Sequence, residues 1–176
     1  MNYKKLIGKK CYLSPIDIND AEKYTQWLND LEVVENLYIY HHVINFESEK
    51  AILEELSKTH TYSIMDIEND QLIGNCGFTD IDYLNQTAEV GIFIGEKNYW
   101  SKGYGTEALK LLIDYGFKAL NLHNIFLKVF AFNKRAIKSY EKVGFKTIGI
   151  RREARYRKME RQDLVFMDIL VNEFYK

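Results

Sequence analysis

The stretch YWSKGYGTEAL, residues 99–109, decides how this chain folds. It follows a strand-like run, residues 88–95, and opens a helix-like run that begins at Thr106. Gly103 and Gly105 allow a tight turn in which the backbone N–H groups stay uncovered. A helix that begins there adds its first unpaired N–H groups and the positive end of its dipole. The stretch therefore predicts a binding site for a phosphate or a diphosphate.

Side chains in the same turn reinforce this prediction. Lys102 supplies a cation at the rim, and Ser101 and Thr106 supply hydroxyl donors. We interpret the turn as the pyrophosphate site of a cofactor.

The glycine pattern also matches the dinucleotide-binding pattern G-x-G-x-x-A in form. A nicotinamide or flavin fold is nevertheless disfavoured, because the loop from Gly95 to Gly103 is too long and the preceding strand is typical of an antiparallel meander. No Asp or Glu between Asp114 and Glu141 is available to hold a ribose hydroxyl. A P-loop is excluded, because no Gly-Lys-Ser/Thr sequence follows four spacer residues.

Length and composition predict one domain over residues 1–176, with a hydrophobic content of 47% that is ample for a core. The sequence has no apolar run long enough for a bilayer and no signal-peptide pattern after Met1. Cys11 and Cys76 lie in strand-like runs without C-x-x-C spacing. We therefore expect a cytoplasmic protein with buried thiols, no metal and no membrane partner.

The charges are unevenly spread along the chain. Residues 1–96 hold 7 Lys/Arg and 17 Asp/Glu, a net charge of −10, whereas residues 97–176 hold 17 Lys/Arg and 8 Asp/Glu, a net charge of +9. Either the surface charges drifted apart without consequence, or the second half binds an anion and the first half a cation. Both interpretations stay open, because halves of a sequence need not be halves of a fold.

Apolar periodicity predicts a mixed order of strands and helices. Strands are expected at residues 10–13, 62–67, 71–79, 86–94, 124–132, 145–150 and 164–170. Helices are expected after Asp17, at residues 46–57, at residues 106–120 and after Asn133. The helix after Asp17 places one stripe of residues inward: Ala21, Tyr24, Leu28 and Leu31.

The remaining details concern helix ends, loops and strand directions. The helix at 46–57 should bury Ile52, Leu53 and Leu56, Asn121 should end the third helix, and Gly144 should end the fourth. The sequence of residues 31–45 is typical of a loop or of a short irregular helix. Their adjacent His41 and His42 are expected to be exposed or substrate-facing, because sequence neighbours rarely share a metal. Short connections make the meander antiparallel, whereas strands 86–94 and 124–132 should be parallel. Residues 151–161 predict a basic, mobile hairpin.

This order, with KGYGT (residues 102–106) after the fourth strand and NKRAIKSYEKVGF (residues 133–145) after the fifth, resembles the GNAT acyl-CoA-dependent N-acetyltransferases. The resemblance covers nearly the whole chain and is strongest to the spermidine acetyltransferase branch, followed by the ribosomal-protein N-terminal acetyltransferases. It implies an α/β (α+β) GNAT fold: a mixed, mostly antiparallel sheet whose central parallel pair splays around acetyl-CoA, with helices on both faces. The family often has Gln or Arg where this chain has Trp100.

The resemblance also implies where acetyl-CoA binds. The pantetheine amides would pair with open strand backbone at Ile92, Phe93 and Ile94, which Gly91 and Gly95 flank as signs of a bulge or a close approach. The implied cofactor-binding residues that follow are Trp100, Ser101, Lys102, Gly103, Tyr104, Gly105, Thr106, Asn133 and Lys138. Lys134 and Lys142 are further cations for the 3′-phosphate, although for any one of Lys134, Lys138 and Lys142 a solvated helix face is the favoured interpretation.

Amine acetylation needs an uncharged amine, donors for the oxyanion and a proton for the departing thiolate. Glu89 is the candidate base, directly or through a water, and the equal alternative is an exposed strand carboxylate or a cross-strand ion pair. A strand N–H near Phe93 or Ile94 would face the oxyanion. Tyr140 stands at the position of the family's general acid, with core packing as its alternative role.

Several functions follow from these expectations. The acceptor is expected to be a small cationic amine such as a polyamine, met by Glu32, Glu35 and Tyr38. One alternative acceptor is the N-terminus of a protein such as a ribosomal protein. Another alternative is a non-catalytic acyl-CoA-binding module. Nucleic-acid binding is disfavoured, because the basic run 151–161 lacks an array of aromatic stacking positions. A homo-oligomer is left open.

Overall fold

The computed structural model describes residues 3–176, which form a mixed sheet with helices. The eight strands are β1 (Leu6–Ile7), β2 (Cys11–Pro15), β3 (Thr61–Asp66), β4 (Leu72–Asp82), β5 (Thr87–Ile94), β6 (Asn124–Phe130), β7 (Lys146–Arg157) and β8 (Glu160–Leu170). The helices are α1 (Ala21–Leu28), α2 (Phe46–Leu56), α3 (Tyr104–Ala119), α4 (Lys134–Val143) and α5 (Val171–Phe174).

The sheet order is β1-β2-β3-β4-β5-β6-β8-β7. The pair β5–β6 is parallel, and the pairs β1–β2, β2–β3, β3–β4, β6–β8 and β7–β8 are antiparallel. The predicted fold class, a mixed and mostly antiparallel sheet with one parallel pair, is confirmed. The short strand β1 was not predicted, because two residues are too few to show a period.

The chain packs as two compact units. The first comprises residues up to Phe78 together with Ile92–Leu112, and the second comprises Thr79–Gly91 together with Ile113–Lys176. The strands β4 and β5 and the helix α3 contribute residues to both units. The single domain over residues 1–176 stays a prediction, and residues 1 and 2 lie outside the described part.

The core of the first unit forms where α1 packs on the strands. Tyr24 and Trp27 of α1 meet edge-to-face at 5.4 Å, and Trp27 meets Phe93 in the same way at 5.8 Å. The predicted inward stripe is correct for Ala21 and Tyr24 but wrong for Leu31, which is 62% exposed. The helix ends at Leu28, and Asn29 is its C-cap residue. The side-chain amide of Asn29 forms hydrogen bonds with both the backbone N–H and the backbone carbonyl of Ile44.

Helix α2 differs from its prediction on one face. It buries Leu53 but exposes Ile52, and the second residue it buries is Glu49. Positions 49 and 53 are one turn apart and share a face. The inward face therefore carries a carboxylate where an apolar residue is usual.

The core of the second unit lies along β6 and β8. These strands pair from Asn124↔Leu170 to Phe130↔Leu164 and bury Ile125, Leu127, Met167 and Ile169. The predicted parallel pair is confirmed by the register Thr87↔Asn124 and Glu89↔Phe126. Asn121 and Gly144, which were predicted to end helices, have positive φ angles of 55° and 119°.

The basic run 151–161 is mostly strand. Strands β7 and β8 stay paired up to Arg157↔Glu160, so that only Lys158 and Met159 form the turn, with φ angles of 50° and 64°. The predicted hairpin is therefore present, but the strands on either side of its turn are longer than the predicted strands 145–150 and 164–170. Most residues of this ladder are exposed and show no apolar alternation, so the sequence contains no signal for the added length. In the part of the chain that the structure describes, none of the helices has the length and apolar character needed to cross a bilayer.

Candidate functional site

The phosphate turn, residues 100–106, lies in the first unit at the start of α3. The helix begins at Tyr104, two residues earlier than predicted, so that Gly105 stands in its first turn. Ser101 and Gly103 take left-handed conformations with φ of 60° and 89°. The first intrahelical bond runs from the N–H of Glu107 to the carbonyl of Gly103, 3.0 Å apart. The amides of residues 104–106 therefore precede the helix's own ladder and are the groups that can meet an anion.

Aromatic side chains hold the phosphate turn from behind. The Tyr99 hydroxyl donates to Asp66 Oδ2 at 2.7 Å, and its ring meets the Tyr104 ring edge-to-face at 4.9 Å. The Trp100 indole N–H donates to the carbonyl of Ile94 at 2.9 Å. These contacts fix the turn without using its amides.

The structure brings the end of β5 against the turn. A Cβ added at Gly105 would lie 3.7 Å from the side chains of Ile92 and Ile94. The predicted cofactor residues of the first unit are thus neighbours. The prediction that pantetheine pairs with the backbone of Ile94 changes in one detail. The carbonyl of Ile94 already accepts from the Trp100 indole, so the N–H of Ile94 is the backbone group to consider for a ligand.

Glycines shape the same strand end. The N–H groups of Gly95 and Glu96 both donate to the carbonyl of Ile73, at 2.9 and 3.2 Å, which forms a bulge. A Cβ at Gly95 would lie 2.1 Å from the Trp27 ring, so the predicted close approach is confirmed there. Around Gly91, by contrast, a Cβ would meet no described atom within 4 Å.

Lys10 joins the phosphate turn, and the sequence did not predict it. Its ammonium group donates to the carbonyl of Lys102 at 2.9 Å and lies 5.7 Å from the centre of the Tyr104 ring. Glu107 fixes the backbone beneath it by accepting from the N–H of Lys10 at 2.7 Å and of Cys11 at 3.2 Å. A lysine more than ninety positions away leaves no local signal in the sequence, so only the fold reveals this second cation.

Glu89 of the second unit is paired with a lysine. Its Oε2 lies 2.7 Å from the Lys128 ammonium, and the two side chains are 17% and 34% exposed, respectively. The ion pair that the sequence left as an alternative is therefore present. Because Oε2 of Glu89 is held by Lys128, Oε1 is the oxygen to consider for a proton transfer.

Helix α4 presents the other predicted residues of the second unit. The Asn133 carbonyl oxygen accepts from the N–H of Ala136 at 3.1 Å, which confirms its predicted capping role. Tyr140 is half-buried, and its ring meets Phe145 edge-to-face at 6.0 Å. Lys138 is exposed, together with Lys134 and Lys142 one turn to either side, as a solvated row of cations.

The predicted acceptor residues are partly neutralised. The Lys97 ammonium bridges Glu32 at 2.6 Å and Asp30 at 2.7 Å, and its hydrogen bond lowers the pKa of Asp30. Glu35 lies in a 3₁₀ turn, Val34–Asn36, and Tyr38 is exposed.

A family model for the acetyltransferase (GNAT) domain matches residues 10–146. The chain therefore belongs to the GNAT acetyltransferase family, as its fold and motifs predicted, and it is an acetyl-CoA-dependent N-acetyltransferase.

The chain is also similar to individual acetyltransferases and to their solved structures. The chain is 32% identical over 174 residues to a protein of Bacillus licheniformis named uncharacterized N-acetyltransferase p20, covering 96% of this chain and 97% of that protein. It is 28% identical over 156 residues to the spermidine N(1)-acetyltransferase of Vibrio cholerae, covering 82% and 90%. A crystal structure of the Vibrio cholerae spermidine N-acetyltransferase in complex with CoA and spermine superposes with a TM-score of 0.85 at 22% identity, covering 96% and 100%.

Proposed function

We propose that this enzyme transfers the acetyl group of acetyl-CoA to a primary amine of a small cationic molecule of the polyamine class. The observation that carries the cofactor half of the proposal is the phosphate turn, with its left-handed Ser101 and Gly103 before α3. The acceptor half is supported by relatives named spermidine acetyltransferases and by the net charge of −10 on residues 1–96.

The residues of the first unit fit a coenzyme A molecule. The amides of Tyr104, Gly105 and Thr106, together with Lys102 and Lys10, offer donors and cations for a diphosphate. Residues 92 and 94 direct their backbone groups to one edge of β5, because alternate residues of a strand do so. Pantetheine amides would pair along that edge, and Trp100 would contribute its ring.

The residues of the second unit supply the proton transfers. Acetyl-CoA brings an activated acetyl thioester. Glu89 accepts the proton of the ammonium group through the oxygen that Lys128 does not hold, directly or through a water. Tyr140 donates its phenolic proton to the departing sulfur, since a phenol and an alkyl thiol have comparable pKa values of about 10 and 8.5. Asn133 and Lys138 flank the cofactor from α4.

Thiol release from acetyl-CoA tests the proposal. The purified enzyme is given spermidine, a monoamine, peptides with free N-termini, or no acceptor. We expect release with spermidine well above the rate without acceptor, and mass spectrometry should show acetylspermidine.

The other outcomes identify the competing functions. Faster release with a peptide would make the protein an N-terminal acetyltransferase. A Tm increase with acetyl-CoA but no release with any acceptor would leave an acyl-CoA-binding module.

A further inference from the structure

A group of polar side chains is buried in the first unit, away from the phosphate turn. Tyr24 of α1, Glu49 of α2 and Ser63 of β3 are only 1%, 2% and 2% exposed. Among the residues that the structure describes, Tyr24 OH, Glu49 Oε2 and Ser63 Oγ have no hydrogen-bond partner. Three such atoms in one layer are unusual, because buried polar atoms are nearly always hydrogen-bonded.

These side chains surround one another. Ser63 stands opposite Asn75 in the β3–β4 register. The pKa of Tyr24 is raised, and burial is the largest cause. The polar side chains of Ser63 and Asn75 lower this pKa, whereas the negative charges of Asp20 and Glu49 raise it further. Ser63 and Asn75 are thus close to the Tyr24 hydroxyl, but neither reaches hydrogen-bond geometry with it. We call Tyr24, Glu49, Ser63 and Asn75 the buried polar cluster.

The cluster has the chemistry of an ammonium site. It offers a carboxylate, two hydroxyls and an amide, which are all able to accept, and it holds no Lys, Arg or His. An alkylammonium group has three N–H donors and no acceptor, so it satisfies several such atoms at once. Burial also raises the pKa of Glu49, because removal from water disfavours the charged carboxylate, and no ion pair with a described residue opposes this rise. A bound cation would do so.

Resting on the proposed function, we propose that the buried polar cluster binds a non-reacting ammonium group of a polyamine acceptor. The reacting nitrogen must lose its proton before it attacks, whereas a carboxylate neighbour keeps an ammonium group charged. The cluster therefore suits the second or third nitrogen of the acceptor. Such binding would make the enzyme select polyamines over monoamines, because only polyamines carry that additional charge.

Tyr24, Glu49 and Ser63 are covered in the structure and Asn75 is half-buried, so a ligand reaches the whole cluster only after the covering elements move. We take this movement to be a separation of α1 and α2, because these two helices carry Tyr24 and Glu49. The segment between these helices is fastened by the Asn29 amide, whose Nδ2 donates to the carbonyl of Ile44 at 2.7 Å and whose Oδ1 accepts from its N–H at 3.1 Å. The same segment also buries Val33 and Val34, and its Asp30 and Glu32 pair with Lys97. Separation of the helices must therefore break these contacts as well as the two hydrogen bonds.

The test compares Glu49→Gln with wild type, and uses Glu47→Gln as a matched control on the exposed face of the same helix. We expect Glu49→Gln to raise the KM for spermidine about tenfold or more, since a charge-assisted hydrogen bond is lost, and to leave the KM for butylamine unchanged. The Tm of the free protein should not fall, because a lone buried carboxylate destabilises a fold. Tyr24→Phe, which keeps the ring, should raise the KM for spermidine by a smaller factor.

A second measurement does not depend on turnover. Spermidine without acetyl-CoA should raise the Tm of wild type and of Glu47→Gln, but not that of Glu49→Gln. An equal Tm increase in all three proteins, or none in wild type, overturns the proposal. An equal KM for spermidine in Glu49→Gln and wild type overturns it too, while leaving the proposed acetylation of polyamines in place. Failure of wild type to acetylate any polyamine refutes the proposed function instead, and the Tm comparison still decides for or against the cluster.

Discussion

The phosphate turn and the residues proposed for proton transfer are built in different ways. In the phosphate turn the groups proposed to face the ligand are backbone amides, and the side chains of Tyr99, Trp100 and Glu107 form their hydrogen bonds elsewhere. Around Glu89 and Tyr140, the groups proposed for chemistry are the side chains themselves. The first kind of site depends on the path of the chain. The second depends on which neighbours each side chain has.

This difference predicts that binding and chemistry can be lost separately. A change of backbone shape in the phosphate turn should remove acetyl-CoA binding, whereas a change of one hydroxyl on α4 should remove turnover and leave binding intact. The first two predictions test this separation, and the later ones refine it.

The largest effect is expected from Gly105→Val. Its Cβ meets only ordinary contacts at 3.7 Å from Ile92 and Ile94, so the free protein should fold, but the branched methyl groups cover the amides of the turn. With acetyl-CoA at about a hundredfold its Kd, wild type should gain roughly 5–10 °C in Tm. The variant should gain nothing. Lys110→Ala, on the exposed side of α3, serves as the control, and an undiminished shift in Gly105→Val would place the diphosphate elsewhere.

Tyr140→Phe should lower kcat by about 10²-fold, within the usual range for a general acid, because the proton for the departing sulfur is lost. The ring stays against Phe145, so the Tm and the Tm increase with acetyl-CoA should change little. Stopped-flow and steady-state rates measure the effect, with Tyr156→Phe as the control on an exposed tyrosine. An unchanged kcat with rate-limiting chemistry would make Tyr140 a packing residue. A marked loss of Tm would assign its hydroxyl a structural bond.

Glu89→Gln separates the two roles that its ion pair with Lys128 combines. If the carboxylate takes the proton, kcat should fall by about 10- to 100-fold in steady-state assays. Lys128→Met is the matched variant, because it breaks the same 2.7 Å pair but keeps the carboxylate. We expect Lys128→Met to cost about 1 kcal/mol of unfolding free energy and to keep most of the activity. Equal kcat values for Glu89→Gln and Lys128→Met would reduce the pair to a structural contact.

Lys10→Ala should weaken acetyl-CoA binding by about five- to tenfold, as expected for loss of a partly exposed charge contact. The Kd difference from wild type should shrink at high salt, because exposed charges are screened. The turn itself should persist, since Glu107 holds the backbone N–H of residue 10 rather than its side chain. Lys9→Ala provides the control, and identical Kd values for the two variants would remove Lys10 from the site.

The smallest effect concerns Glu49, whose Oε2 has no hydrogen-bond partner among the described residues, in contrast to Glu89 with its ion pair to Lys128. Burial raises the pKa of Glu49, so the folded state keeps a proton that the unfolded state loses as pH rises above about 4.3. The unfolded state binds fewer protons in that window, and stability therefore falls as pH rises through it. Urea denaturation from pH 4 to pH 7 should show wild type losing unfolding free energy relative to Glu49→Gln. A gap that does not change with pH would mean that the carboxylate is neutralised in the fold.

The sequence predicted the backbone-built site better than the side chain-built one. Gly103, Gly105 and the helix start are local signals, and they predicted the start of α3 to within two residues. The partner of Glu89 was not predictable, because Lys128 meets it only after the parallel strands take their register. The position of Glu49 was missed for a related reason: the apolar pattern placed Ile52 inward, and only the packed helix shows which face turns to the core.

The hairpin of β7 and β8 has a consequence for how this region folds. Its turn, Lys158 and Met159, requires positive φ at both positions, a conformation that favours Asn-Gly and disfavours residues with long side chains. The turn sequence therefore destabilises the hairpin that it closes. The pairing of β8 with β6 must supply the compensating stability. A peptide of residues 146–170 should be largely unstructured on its own in water. The same peptide with Asn-Gly at the turn should show measurable hairpin structure, so this ribbon acquires its shape from its sheet rather than from its own local sequence.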